Sequence, residues 1–194
     1  MIPTRQPPGS GAEGGGPEPP GNPRPAPSAE DEAYDIRIAA DGTWFHEGAP
    51  IGRIALVKLF ATVLRRDEAG DYWLVTPAER GRIVVEDAPF VAVAMTERGE
   101  GADRALVFRT NLDHEVAADA DHPLTVRVAP ETGEPRPYIR VKGDSETTGL
   151  HALIARSVFY DLVSLAETDD RGRTGVWSRG HFFPLDRDTT ASAP

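Results

Sequence analysis

The sequence contains no cysteine, which excludes disulfide cross-links and thiolate metal sites. No apolar run approaches the ~18 residues that a membrane-spanning helix needs, and the N-terminal stretch has no apolar core of the signal-peptide kind. A soluble, cytoplasmic protein without a membrane span is therefore expected. Large apolar side chains are almost missing from residues 1–29, where Pro and Gly dominate, as in Gly14-Gly15-Gly16-Pro17-Glu18-Pro19-Pro20. So little to bury leaves nothing to offset the entropy of ordering, and a flexible tail is expected there. Positive charge is in deficit: 21 Lys and Arg stand against 31 Asp and Glu, a formal net charge of -10. That field repels a polyphosphate backbone, so no nucleic-acid partner is expected, while a local basic pocket would still accept a small anion.

Catalytic signatures are also missing. Ser178 precedes Gly180 and His181, but a nucleophile elbow needs Gly where Val176 stands and a helix where Phe182-Phe183-Pro184 reads as a strand. Asp113-His114-Glu115 with Asp119, Asp121 and His122 matches neither a zinc helix nor a calcium loop, so a solvated acidic loop is expected and no metal. Gly99-Glu100-Gly101 starts a glycine fingerprint that no helix follows, and no Walker lysine is present. No catalytic residue and no cofactor are expected.

What is present is an echo. Lys58-Leu59-Phe60-Ala61-Thr62-Val63-Leu64 runs through a polar turn into Tyr72-Trp73-Leu74-Val75; Ser157-Val158-Phe159-Tyr160-Asp161-Leu162-Val163 runs through another into Gly175-Val176-Trp177-Ser178. Recurrence of helix, turn and Trp strand points to two related subdomains, with the seam between them a natural ligand site. The spacing of Leu56, Leu59, Phe60, Val63 and Leu64 predicts a helix of about four turns from Gly52, closed by basic Arg65 and Arg66. Leu150, Leu153, Ile154, Val158, Leu162 and Leu165 predict a second, capped by Thr148. Alternating or β-branched runs predict strands at 43–45, 49–51, 72–76, 82–85, 90–95, 105–110, 124–128 and 138–142, and a closing hairpin around Arg179-Gly180. The expected class is α+β, with helices among mostly antiparallel strands. Expected divisions are a tail over 1–29, an N-terminal subdomain over 30–97, a C-terminal one over 98–188 and a tail over 189–194.

Glu86 and Asp87 end an apolar strand and must be solvated or find cations, for which Arg53, Arg140, Lys142 and Arg156 are the candidates. Adjacent carboxylates point to opposite faces of a strand, which argues against an acid–base pair. The Trp and Tyr residues read first as core aromatics and second as a stacking surface.

The chain resembles the domain-of-unknown-function 1285 family of bacterial proteins. The likeness is carried by Gly48-Ala49-Pro50-Ile51-Gly52-Arg53, Tyr72-Trp73-Leu74-Val75-Thr76-Pro77-Ala78-Glu79, Ile83-Val84-Val85-Glu86-Asp87-Ala88-Pro89-Phe90, Leu150-His151-Ala152-Leu153-Ile154-Ala155-Arg156, Phe159-Tyr160-Asp161-Leu162 and Val176-Trp177-Ser178-Arg179-Gly180. The resemblance implies a duplicated core, a C-terminal half superficially like a pleckstrin-homology fold, and a cleft between the halves that takes a nucleotide-like ligand in signal transduction. The candidate ligand-binding residues are Arg53, Glu79, Glu86, Asp87, Phe90, Arg140, Arg156, Tyr160 and Trp177. The leading expectation is thus a sensory module for a nucleotide-like small molecule. The alternative is an adaptor for a protein partner, and the third an unrecognised hydrolase using Glu86 and Asp87.

Overall fold

The structure, a computed structural model, describes residues 31–129 and 132–185; the two expected tails lie outside the described residues. The fold is mostly β, with two helices, and is assembled from three-stranded antiparallel meanders. The first is β1 (Asp31–Ile38), β2 (Trp44–His46) and β3 (Ala49–Pro50); helix α1 (Ile54–Val63) follows, then β4 (Leu64–Arg66), β5 (Tyr72–Val75) and β6 (Arg80–Val85). The third is β7 (Phe90–Arg98), β8 (Ala105–Thr110) and β9 (Glu115–Ala117), and the fourth β10 (Leu124–Val128), β11 (Pro135–Lys142) and β12 (Leu150–Ile154). Helix α2 (Arg156–Ser164) leads into the last, β13 (Glu167–Thr168), β14 (Thr174–Ser178) and β15 (His181–Pro184).

The meanders join in pairs by one rule. In the first six-stranded sheet, ordered β3-β2-β1-β6-β5-β4, the opening strand of one meander lies parallel to the closing strand of the next. In the second, ordered β10-β11-β12-β7-β8-β9, β7 lies parallel to β12 in the same way. Two related halves therefore follow from topology, and the chain passes between sheets at Glu86-Asp87-Ala88-Pro89. The boundary expected at 97/98 falls within the last residues of β7, a strand of the second sheet.

Local chemistry explains the pieces. Strand β6 alternates, with Gly81 and Ile83 inward and Arg80, Arg82 and Val84 outward, as one wet face requires. Gly81 is there for space: the Tyr34 ring lies across it, 2.2 Å from where a Cβ would stand. Strands β8 and β11 are instead buried over most of their length: β11 lies between β10 and β12 inside its sheet, and β14 and β15 of the small third sheet pack over β8 and β10. Ser178 fixes that third layer. Its buried hydroxyl accepts from the Leu106 N–H (2.9 Å) and donates to the Ala118 carbonyl (2.7 Å), which leaves it a structural tie. One hydrophobic core runs through both halves, from Ile38, Trp44 and Leu64 to Phe90, Phe108, Ile139 and Val176.

Two expectations are corrected. Residues 150–154 are not helical: they form β12, paired with β11 and β7, and α2 begins only after Ala155. The run Leu150-His151-Ala152-Leu153-Ile154 is apolar or buried on both faces, and a short buried strand of that kind cannot be told from a helix by period. Thr148 does not cap α2; its hydroxyl pairs with Ser145 Oγ inside the 143–149 loop. The echo is real but its register differs. Each helix leads into a hairpin with the same five-residue turn, Asp67–Asp71 and Asp169–Arg173: the Asp N–H donates to the carbonyl of the fifth residue, the Gly N–H donates to the Asp carbonyl, and Asp Oδ1 accepts from the fifth N–H. Gly70 and Gly172 hold φ of 87° and 77°, the left-handed values that favour glycine. Aligned on these turns, Trp73 matches Gly175 and Trp177 matches Val75, so the tryptophans are not equivalent.

Candidate functional site

Helix α1 stops where Leu64 turns extended and goes directly into β4. Its last carbonyls find no capping glycine and are met by cations: Lys142 Nζ donates to Ala61 O (2.9 Å), and Arg65 Nη1 to Thr62 O (2.9 Å) and Leu64 O (2.7 Å). These are the partners that a helix C-terminus seeks. Lys142 comes from β11 of the other half, so the contact lies on the seam. Around it opens a cleft of about 440 Å³, lined by Thr62, Arg65 and Arg66 on one side and Lys142, Gly143 and Thr148 on the other, with Leu64 and Leu150 at its base.

The lining contains three cations and no carboxylate. Arg66 lies over the Tyr72 ring at 5.5 Å, and its Nη1 reaches Glu146 O at 3.4 Å; its buried Nε has no hydrogen-bond partner among the described residues. Burial, with the positive charge of Arg65 added, pushes the Lys142 ammonium below its ordinary pKa. A cation held among cations and partly desolvated is stabilised by any anion that enters. The loop over the cleft is tied back by Glu146, which pairs with Arg127 (2.5 Å) and with the buried His151 (3.4 Å). Burial lowers the His151 pKa, and the Glu146 charge opposes that effect.

A second depression, of about 480 Å³, holds Glu86 and Asp87 with Arg127, Arg136, Glu134 and Tyr138. The expected carboxylates are therefore in a pocket, but their cations are others. Glu86 pairs with Arg37 and accepts from the Ala40 N–H; Asp87 accepts from Arg136 (2.8 Å) and the Tyr138 hydroxyl (2.6 Å). Burial, then the bond to Asp87, drives the Tyr138 phenol up to about 12 and keeps it a donor. The two carboxylates thus serve separate partners, Glu86 on the β1 side and Asp87 on β11.

The other expected residues are dispersed. Phe90 is fully buried in the core beneath Lys142, whose Nζ lies 6.0 Å from the ring centre. Arg140 is buried and donates from Nε to Asp121 O. Arg53 is exposed before α1, and Glu79 in the β5–β6 turn. Arg156 is exposed, 3.9 Å from Glu134 at the rim of the second depression. Tyr160 is exposed on α2, and Trp177 meets Phe182 in a tilted contact, ring centres 5.2 Å apart, in the closing hairpin beside Arg171 and Arg173. Arg53, Glu86, Arg156 and Trp177 thus share no cavity among those described. Arg65 and Arg66 were legible only as charges suited to a helix end; the signal for more was their position at the junction of helix and strand.

Among the described residues no group of three or more His, Asp or Glu side chains is placed to hold a metal ion, and no helix is long and apolar enough to cross a membrane.

Comparison with known proteins agrees with the division between sheets. Residues 24–88 match the DUF1285 N-terminal domain, a domain of unknown function, and residues 89–185 match the DUF1285 C-terminal domain of a protein of unknown function. A DUF1285 family protein from Silicibacter pomeroyi DSS-3 is 45% identical, with 80% of each chain covered and a TM-score of 0.72. Another from Shewanella baltica OS155 is 25% identical over 68% of this chain and 91% of its own, with a TM-score of 0.51. No curated protein matches. With both family domains meeting at the point where the chain changes sheets, the chain belongs to the DUF1285 family.

Proposed function

We propose that the protein binds a small phosphate-bearing, nucleotide-like ligand in the seam cleft and serves as a sensory module in signal transduction. The observation that carries the reading is the meeting of Arg65, Arg66 and Lys142, contributed by both halves, with no carboxylate among the lining residues. A cleft of this volume falls in the range of small-molecule sites, about 300–1,000 Å³. Leu64 and Leu150 supply apolar floor for a ring, and Thr62 and Thr148 supply hydroxyls. An occupant bridges β4 and β11, so binding draws the two sheets together, which is what a sensor requires of its ligand. The pleckstrin-homology likeness of the second half belongs to this proposal; its support is the order of sheet strands followed by a helix.

Thermal unfolding against a nucleotide panel and inorganic phosphate tests the reading. A ligand at a hundred times its Kd stabilises the folded state by about 2.7 kcal/mol, so the midpoint should climb with concentration. Arg65→Ala with Lys142→Met should remove the climb. If no nucleotide at millimolar concentration moves the midpoint, the proposal falls.

A further inference from the structure

Helix α1, Ile54-Ala55-Leu56-Val57-Lys58-Leu59-Phe60-Ala61-Thr62-Val63, carries apolar residues on all sides, and a helix of that kind is normally enclosed. Here the chain encloses only one side: Val57 and Ala61 are buried, while Ile54 is 53% and Leu59 59% exposed. Leu59 stands as the exposed crest of a second stripe with half-buried Leu56, Phe60 and Val63, of which Phe60 stacks on Trp44, at the three-and-four spacing by which helices pack on helices. Beside it lies an apolar groove of about 350 Å³ whose walls include Pro50, Ile51, Leu56 and Phe60. Projecting side chains and a receiving groove therefore lie on one face.

Charge on this face identifies the occupant. The protein as a whole is strongly acidic, and most of its surface opposes a second copy. On α1 the only charge is Lys58, held by Asp113 of the same chain at 2.7 Å. At the margins stand an exposed cation, Arg53, and two exposed carboxylates, Glu47 and Asp35, which lie together because the Glu47 N–H donates to the Asp35 carbonyl; none of the three is ion-paired among the described residues. The margin thus has charges of both signs, unlike an all-acidic surface. A two-fold contact needs a patch that complements itself, in which residue i meets j and j meets i. We infer that the chain forms a two-fold homodimer through α1, with Leu59 of each copy seated in the Pro50–Phe60 groove of the other and Arg53 of each facing Glu47 of the other. This inference does not depend on the ligand proposal, since the seam cleft is lined by other residues.

Sedimentation equilibrium of the full chain tests it. At micromolar concentration the mass should be twice that of one chain. Leu59→Asp should weaken association by about a hundredfold or more, the scale of a buried interface anchor, with circular dichroism unchanged and the melting midpoint lowered to a value that no longer rises with protein concentration. Arg53→Glu and Glu47→Lys should each weaken association, and the two together should restore it, a readout that a misfolded variant cannot produce. A mass of one chain at every concentration overturns the inference, as does a dimer indifferent to Leu59→Asp. A chain that stays monomeric but protects Leu59 when an acidic amphipathic peptide is added overturns it in favour of a foreign partner.

Discussion

The two sheets have the same strand order and the same parallel closure, yet they differ in what links their meanders. In the first half the link from β3 to β4 is helix α1; in the second, β9 reaches β10 through the short stretch 118–123, and the helix is postponed until after β12. The consequence is unequal burial. The second sheet is covered by its own helix and by the third sheet, and Phe90, Leu106, Phe108, Ile139 and Ala152 are fully enclosed. Both sheets expose valines, Val75 and Val84 in the first and Val93 and Val128 in the second, but the first half closes more loosely because Ile54 and Leu59 of α1 are left bare. A shared topology therefore sets which strands are neighbours, while the position of the helix decides which half is the core and which half presents surface.

Breaking the heavier half should cost most. Phe108→Ala leaves a cavity in the enclosed sheet and should lose about 3–5 kcal/mol, whereas Leu74→Ala on the looser side should fall near the low end of its class, about 2 kcal/mol; urea unfolding measures both, and equal losses would contradict the comparison. Next is Ser178→Ala, which strands the buried Leu106 N–H and should cost about 1–3 kcal/mol, with hydrogen exchange quickening first at β14 and β15. The paired turns give a smaller contrast. Burial pushes the Asp67 carboxyl up, but the Trp73 indole N–H at 2.9 Å and the turn amides outweigh that and hold it low. Asp169 receives Arg173 instead, a guanidinium that is itself half exposed. Asp67→Ala should therefore lower the melting midpoint more than Asp169→Ala.

The smallest effect is acid sensitivity, and it belongs to the second half. Burial depresses the pKa of His151 and His114 below the usual 6.5, with Lys142 and Lys58 adding to the effect at His114. The unfolded chain therefore takes up protons first, and stability, complete above about 6.5, declines as the pH drops below that value. His151→Gln should flatten the decline between pH 7 and 5, above the range in which the carboxylates begin to titrate. An unaltered slope would remove His151 from the account.

Much of this architecture can be read from residue pattern, and the failures have physical causes. Strands such as 72–75 and 105–110 announce themselves because β-branched and apolar side chains run between turn residues. Strand β12 is misread because burial on both faces erases the alternation that separates strand from helix. Glu86 and Asp87 were legible as a polar wall, since an apolar strand ending in two carboxylates demands partners. Which partners, Arg37, Arg136 and Tyr138, depends on pairings between strands far apart in sequence. The same holds for the seam: nothing in Arg65-Arg66 alone reveals that Lys142 approaches the end of α1.

The parallel closure of each sheet has a consequence for assembly in time. Strand β1 cannot be flanked on its inner side until β6 has been made, nor β7 until β12 has. Each sheet is thus finished by a contact between its two ends, the kind of long-range pairing that slows folding because loop-closure entropy is lost before any compensating contact forms. A nascent chain that has reached Glu79 still presents the inner edge of β1 unpaired, and the same exposure recurs at β7 until Ile154 emerges. Synthesis therefore passes through two intervals of open-edged sheet, and a truncation ending at Glu79 should aggregate faster than one ending at Val85, which differs from it by the strand that pairs the β1 edge.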